Sequence, residues 1–352
     1  MIEESAGNLL EADTEALVNT VNTVGVAGKG IALQFRQAFP ENYKAYVAAA
    51  KGGEVVPGRM FVFDTGQLTN PRYIINFPTK RHWKGRSRID DIRAGLRALV
   101  GVLAKLQITS VAVPPLGCGN GGLNWSEVKP VIVDALDPIE VRVLLFSPVG
   151  APSADEIFVR TERPRMTLGR AALLLLMHRY REGDSYRLTA LEVQKLAYFL
   201  QESGEPLRLK YVKARYGPYA ENLNHVLQAL EGHHIRGYGD RSQEPQLYLL
   251  PGAADEASQF LHSYPDTAQR LASVSRLVDE WDTPYGLELL ATTHWALTRG
   301  PDLQSAEDLY PFVASWTPRK ARLFKSHQVR KAVEHLVGQG FVNVPEWMSG
   351  AT

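Results

Sequence analysis

An amine, a guanidinium, an imidazole and an indole stand side by side at Lys80, Arg81, His82 and Trp83. They lie in Asn76–Lys84, NFPTKRHWK, which leaves an apolar run and is read as a loop carrying these four groups. Three uses of Lys80 stay open at this level. A neutral amine is a nucleophile, an ammonium is a proton donor, and either can clamp a ligand. A lysine is mostly protonated in water, so nucleophilic use requires burial or neighbouring positive charge, which Arg81 and Lys84 supply. His82 is the nearest group able to activate water, against the alternative of a structural hydrogen bond.

Two glycine-rich segments add a second kind of chemistry. Asn19–Gln34, NTVNTVGVAGKGIALQ, runs from a strand through Gly25, Gly28 and Gly30 into a helix. Val113–Leu123, VPPLGCGNGGL, does the same through Gly117, Gly119, Gly121 and Gly122, with a helix starting near Trp125. Glycines let a backbone approach a ligand and turn its amides toward an anion, and a helix N-terminus adds partial positive charge. Neither segment has the spacing of the P-loop or the dinucleotide fingerprint. One such loop is a weak signal. Two, each after a strand and before a helix, predict that both close on one diphosphate. Lys29 is a solvated lysine or an electrostatic aid to the anion. Cys118 would need an activating base to act as a nucleophile, and no histidine lies near it in sequence.

The elements that must hold these loops alternate along the first half. Ala16–Asn22 reads as a buried strand, and Gly28–Phe39 as a helix that Pro40 stops. Arg59–Asp64 and Tyr73–Phe77 are β-rich. In Ile89–Leu106, Ile92, Leu96, Leu99 and Leu103 fall at helical steps, and Ser110–Pro114 and Val141–Phe146 are apolar strands. This pattern predicts a mainly parallel or mixed sheet covered on both faces, with ligands beyond the carboxyl ends of the strands. The loops after Asn22, Phe77 and Pro114 are therefore the ones to watch. Residues 156–166 are read as a linker between domains at 1–155 and 167–352. The second half is mostly helical. Thr167 caps a helix running to about Glu182, Thr189 and Glu192 have capping-box spacing, and Asn222–Glu231 is a helix ended by Gly232. Tyr216-Gly217-Pro218-Tyr219 is read as a tight turn. Further helices are expected at Asp266–Trp281, Gly286–Thr298 and His327–Gly338.

The chain has 352 residues, which suits two domains, and a formal net charge of +1. Any nucleic-acid contact must therefore be local. A single cysteine excludes an internal disulfide and a cysteine-based zinc cluster. The longest apolar run, Ala171–Met177, is too short to span a bilayer and reads as a buried helix. The residues call for no metal, no cofactor and no membrane, and a cytoplasmic location is expected.

Gly7-Asn8-Leu9-Leu10 followed by Ala16–Asn22 resembles the opening of a macrodomain, the ADP-ribose-binding α/β/α module. VGVAGKGIALQF, NFPTKRHW and PPLGCGNGGL are similar to the macrodomains of the DarG antitoxins, partners of the DarT toxins, and occur in order within about residues 1–150. The resemblance implies a three-layer α/β/α macrodomain with a mixed sheet, followed by a mostly α-helical C-terminal domain. It implies that DarT attaches ADP-ribose to thymidine bases of single-stranded DNA, that this family removes it, and that Lys80 is catalytic. It places Asn8 and Leu9 near the adenine, although many macrodomains have Asp in place of Asn8. It places Asn22, Gly25, Val26, Ala27, Gly28, Gly30 and Ile31 at the distal ribose and diphosphate. Leu116, Gly117, Cys118, Gly119, Asn120, Gly121 and Gly122 follow on the other side, with Thr79 beside Lys80. His82 and Trp83 become candidate DNA contacts, Trp83 as a stacking platform; Arg81, Lys84, Arg86 and Arg88 would meet phosphates or solvent.

Val193–Gln228, with QKLAYF and YGPY, resembles the helical domain of SocA-like antitoxins and the C-terminal part of DarG, which implies direct binding of DarT. Leu191, Leu196, Tyr198, Phe199, Tyr216 and Tyr219 are otherwise read as core. Lys320, Arg322, Lys325, Arg330 and Lys331 form a basic stretch, read as solvated surface or a winged-helix-like DNA contact. Two other functions compete: a non-catalytic ADP-ribose reader that acts only by binding a toxin, and a hydrolase of ADP-ribosylated protein.

Overall fold

Strand β2 (Ala16–Asn22) shows how the first half is layered. Period-two alternation sends Ala16 and Val18 to one face of the sheet and Leu17 and Val21 to the other, all of them buried. A strand buried on both faces must be covered on both, and helices do this. The computed structural model describes residues 1–148, 159–180, 187–238, 246–300 and 306–344.

The sheet contains β1 (Ile2–Ser5), β2, β3 (Phe61–Asp64), β4 (Tyr73–Lys80), β5 (Ser110–Val113) and β6 (Arg142–Phe146), in the order β1-β6-β5-β2-β4-β3. All neighbours are parallel except β3 with β4, so the sheet is mixed. Helices α3 (Ile89–Lys105) and α4 (Trp125–Leu136) cover one face through Ile92, Leu96, Leu99, Leu103, Val128, Ile132 and Leu136. A β-carbon on Gly95 would stand 2.2 Å from Phe77 Cζ, so glycine there lets α3 lie directly on β4. Helices α1 (Gly30–Ala38) and α2 (Pro40–Lys51) cover the other face through Phe35, Tyr46 and Ala49.

Helix α2 departs from the sequence reading. Pro40 does end α1, but it is also the first residue of a new helix. Proline is tolerated at that position, where its missing N–H would have no intrahelical partner. β4 also runs further than expected. It continues three residues past Phe77, so Lys80 is the last residue of a strand rather than part of a loop.

The chain divides into two units, one covering Met1–Arg163 and the other Pro164–Tyr238 with the described residues that follow. The expected end of the helix after Thr167, at Glu182, lies outside the described residues, as does the start of the expected linker. The second unit is largely helical. It contains α5 (Leu168–Arg179), β7 (Leu188–Thr189), α6 (Ala190–Glu202), β8 (Tyr211–Ala214), β9 (Gly217–Ala220), α7 (Leu223–Leu230), β10 (Ile235–Arg236) and β11 (Gln246–Leu249). Then come α8 (Ala253–Leu261), α9 (Pro265–Val278), α10 (Pro284–Arg299), α11 (Ala306–Ala314), α12 (Pro318–Leu323) and α13 (Ser326–Gly338). Thr189 and Glu192 form the expected capping box on α6. Residues Ala171–Met177 of α5 and Glu192–Leu200 of α6 are buried all round, which marks two central helices.

Two readings of this unit are corrected. Gly217-Pro218 is not a turn but the start of β9, which pairs antiparallel with β8; the turn is at Arg215–Tyr216. Lys320 is not on a DNA-facing surface. It is fully buried, with Nζ 2.5 Å from Glu288 Oε1 and 3.0 Å from Thr292 Oγ1. An unpaired ammonium could not be buried there, and the Glu288 carboxylate is what allows it.

Candidate functional site

Five parallel strands put their carboxyl ends on one edge. The loops after β1, β2, β4 and β5 all open there. Lys80 reaches this edge through an irregularity in pairing. Val21 stands opposite Pro78 but Asn22 opposite Lys80, so Thr79 is an extra residue on β4. Such a bulge bends a strand and re-aims the side chain that follows it. Thr79 itself is buried and donates to Val21 O at 3.4 Å. Thr23 N–H donates to Lys80 O at 3.0 Å and pins the end of β4.

Lys80 is half-buried, and its amine donates to the backbone carbonyl of Asn120 in the second glycine loop. Burial holds the amine below the usual lysine range. Desolvation disfavours the charged form, which moves Lys80 toward the neutral state a nucleophile needs.

The first glycine loop is shaped by Asn22. Its Oδ1 accepts from Val24 N–H at 3.1 Å and Val26 N–H at 3.2 Å, and its Nδ2 donates to Val26 O at 2.6 Å. Tyr46 of α2 donates to Asn22 O at 2.6 Å, and Tyr43 of the same helix to Gly25 O at 3.4 Å. These tyrosines were missed because α2 was missed; their spacing of three along a helix was the available signal. Beneath the loop, Asn19 Nδ2 donates to Asn76 Oδ1 at 2.9 Å and Asn76 Nδ2 to Asn42 Oδ1 at 2.7 Å, tying β2, β4 and α2 together.

Three carbonyls of the second loop are held by the end of β4 and the segment that follows it. Asn120 O accepts from Lys80 Nζ, Gly121 O from Ser87 N–H at 3.0 Å, and Gly122 O from Arg86 Nη2 at 3.4 Å. The N–H groups of Gly119, Asn120 and Gly121 have no acceptor among the described residues. Consecutive free amides of this kind form an anion-binding concavity. The two loops meet where Asn120 Nδ2 lies 3.3 Å from the position a β-carbon on Gly30 would take.

Of the remaining sequence candidates, Gly25, Ala27 and Gly30 are buried in the first loop, Gly28 and Ile31 half-buried, and Val26 exposed. Leu116 is buried behind the second loop. Cys118 is half-buried, and burial pushes its thiol up to about 11, which keeps it protonated and a poor nucleophile. Asn8 caps a 3-10 turn at Leu9–Glu11, accepting from Leu10 N–H at 3.1 Å and donating to Glu11 at 2.9 Å, while Leu9 packs into the core. His82 Nδ1 accepts from Lys84 N–H at 3.2 Å, and its ring stacks on Trp83 with centroids 5.7 Å apart. Trp83 is exposed and also carries Lys84 Nζ over its ring at 4.5 Å. Arg81 is held by Asp91 at 2.9 Å.

A six-stranded mixed sheet between two helical layers, with two glycine loops on its carboxyl edge, defines a macrodomain. The Macro domain family model matches residues 18–132. A Thermus aquaticus protein named DNA ADP-ribosyl glycohydrolase is 49% identical over 99% of this chain and 96% of its own length. A Mycobacterium tuberculosis protein of the same name is 42% identical over 96% of this chain and 99% of its own. Among solved structures, the macrodomain of Mycobacterium tuberculosis DarG is 56% identical over 42% of this chain and 98% of its own, with a TM-score of 0.42. The chain belongs to the DNA ADP-ribosyl glycohydrolase (DarG) family, a family of hydrolases.

Proposed function

We propose that this chain removes ADP-ribose from thymidine bases in single-stranded DNA, with Lys80 acting at the distal ribose. The observation that carries this reading is the Lys80 amine. It is half-buried, shifted toward neutrality, and fastened to a loop whose free amides suit a diphosphate. The Thermus aquaticus and Mycobacterium tuberculosis relatives are named DNA ADP-ribosyl glycohydrolase, which supports DNA as the carrier of the ADP-ribose.

The diphosphate lies on the amides of Gly119–Gly121, with the loop from Gly25 to Ile31 on its other side. Asn22 shapes that first loop and leaves one of its amide protons for the ribose. Asn8 and Leu9 border the adenine end. As the bond from the ribose C1 to the base nitrogen breaks, its electron pair leaves with the base, which takes up a proton. The neutral Lys80 amine bonds to C1 and sheds one proton, which balances the one the base takes up, and water then cleaves the lysine–ribose adduct, restoring the amine and releasing ADP-ribose. Trp83 and His82 border the exit of the base, where an exposed aromatic can stack on a single strand.

The second unit is proposed to bind the DarT toxin. A Thermosipho africanus relative, 36% identical over 158 residues and covering 41% of each chain, is named as a fusion of a DNA ADP-ribosyl transferase with a DNA ADP-ribosyl glycohydrolase. Such a fusion supports a working partnership between the two activities.

The test is Lys80→Ala assayed on a panel of ADP-ribosylated DNA, RNA and protein. The wild type should release free ADP-ribose from the modified thymidine oligonucleotide and from little else. Lys80→Ala should lose at least a thousandfold in rate while still binding ADP-ribose. Unchanged hydrolysis by Lys80→Ala overturns the role of Lys80, and binding without release by the wild type makes the domain a reader.

A further inference from the structure

In the second unit, β8 and β9 form a ribbon whose turn at Arg215–Tyr216 is exposed. The ribbon is fastened from several sides. Gln194 of α6 donates to Ala220 O and accepts from Ala220 N–H, each at 3.0 Å. The buried Lys195 amine donates to Pro218 O at 2.6 Å. Trp316, in the link between α11 and α12, donates from Nε1 to Ala214 O at 2.8 Å. A backbone held this way has little freedom left to lose on binding.

The side chains around the turn are cations laid on rings. The Arg319 and Arg215 guanidiniums lie 4.9 and 5.3 Å from the centroid of the Tyr216 ring, and Lys213 Nζ lies 4.7 Å from that of Trp316. Arg322 is exposed three residues beyond Arg319 in α12, on the same side of the helix. Tyr216 itself is 39% exposed. Among the described residues, Lys213, Arg215 and Arg322 form no ion pair. The carboxylate that reaches this cluster, Glu288, is buried and shared between Arg319 and Lys320, so it leaves the pair net positive.

This combination selects its ligand by chemistry. A phosphodiester chain brings one negative charge per residue to cations that have no carboxylate of their own. Unpaired bases bring flat faces, which stack on an exposed aromatic ring or on a guanidinium plane. A duplex offers the charge but keeps those faces inside its own stack.

We propose that the tip of the β8–β9 ribbon, with Lys213, Arg215, Tyr216, Arg319 and Arg322, binds single-stranded nucleic acid as a contact separate from the macrodomain site. The cations take the phosphates, and Tyr216 stacks on a base.

The test measures fluorescence anisotropy of an unmodified thymidine oligonucleotide, about 20 residues long, with the full-length protein across a salt series. Lys213→Gln combined with Arg215→Gln removes two exposed charges. It should lower the slope of log Kd against log salt by about 1.4, while the melting temperature and the Kd for ADP-ribose stay at wild-type values. Tyr216→Ala should weaken oligonucleotide binding about five- to tenfold at fixed salt. A duplex of the same length should bind wild type more weakly than the single strand and be indifferent to Tyr216→Ala. Wild-type slope and affinity in both variants would place the strand elsewhere and overturn the proposal. Variants that bind the oligonucleotide normally but no longer inhibit DarT would overturn it too, and make the ribbon a toxin-docking surface. Failure of the wild type to hydrolyse modified DNA bears on the macrodomain alone.

Discussion

Two features of its surroundings act on the Lys80 amine. Burial pushes it toward the neutral form, and the Asn120 carbonyl gives one of its protons a fixed direction. For an amine, a lowered pKa means that the reactive fraction grows with pH and saturates below the ordinary lysine value near 10.5. If Lys80 attacks C1, kcat/KM for the modified oligonucleotide should climb about tenfold per unit on the acid side and then level off before pH 10.5. A rate that falls with rising pH would make Lys80 the proton donor instead. At this scale the sequence was informative but incomplete. The residue types near Lys80 were legible because they are consecutive in the chain. Ser87, Tyr46 and Asn42 were not, because only the tertiary fold brings them to the loops. Lys320 shows the limit most sharply: in sequence it is one cation among several, and its burial depends on Glu288, thirty-two residues away.

Among the elements, β2 and α3 were readable almost to the residue, since a strand buried on both faces and a helix with a full apolar stripe leave unambiguous patterns. The errors fell where one residue has two uses. Pro40 ends one helix and starts another, and Gly217-Pro218 opens a strand at the edge of a two-stranded ribbon, where a missing N–H is tolerated. The bulge at Thr79 has no sequence mark, yet it sets where Lys80 emerges. In the second unit, α6 and α10 meet at a buried polar contact. Tyr198 OH lies 2.8 Å from His294 Nδ1, and His294 Nε2 lies 3.2 Å from Phe341 O. Burial pushes His294 down to about 4, while in the unfolded chain it titrates near 6.5. The folded state thus binds fewer protons than the unfolded one between those values. The stability His294 contributes is complete above pH 6.5 and is lost as pH falls toward 4, by about 3 kcal/mol. Urea unfolding of the second unit should show this slope, and His294→Gln should flatten it. A midpoint indifferent to pH across that window would contradict the buried neutral imidazole.

On the scale of the whole molecule, each unit carries its own buried core, so the proposed catalysis of the first and the proposed partner binding of the second should be separable. On that proposal Lys80→Ala should still silence DarT. Mixed with the toxin near equal ratio, it should suppress modification of a thymidine oligonucleotide about as well as the wild type, although on the proposed mechanism it would not erase the product. Full toxin activity in that mixture would mean that the second unit does not neutralise by contact. No helix of the described residues is long and apolar enough to cross a membrane. The strand order carries one more consequence, which concerns synthesis. β1 leaves the ribosome before every other strand of this sheet, and β6, its neighbour in the sheet, is the last of those strands to follow. Residues 2–5 must therefore wait for residues 143–146 before their backbone groups are paired. Closure of the sheet is a late, long-range event that local folding cannot hasten, and during translation the nascent chain carries an open strand until the whole domain has emerged.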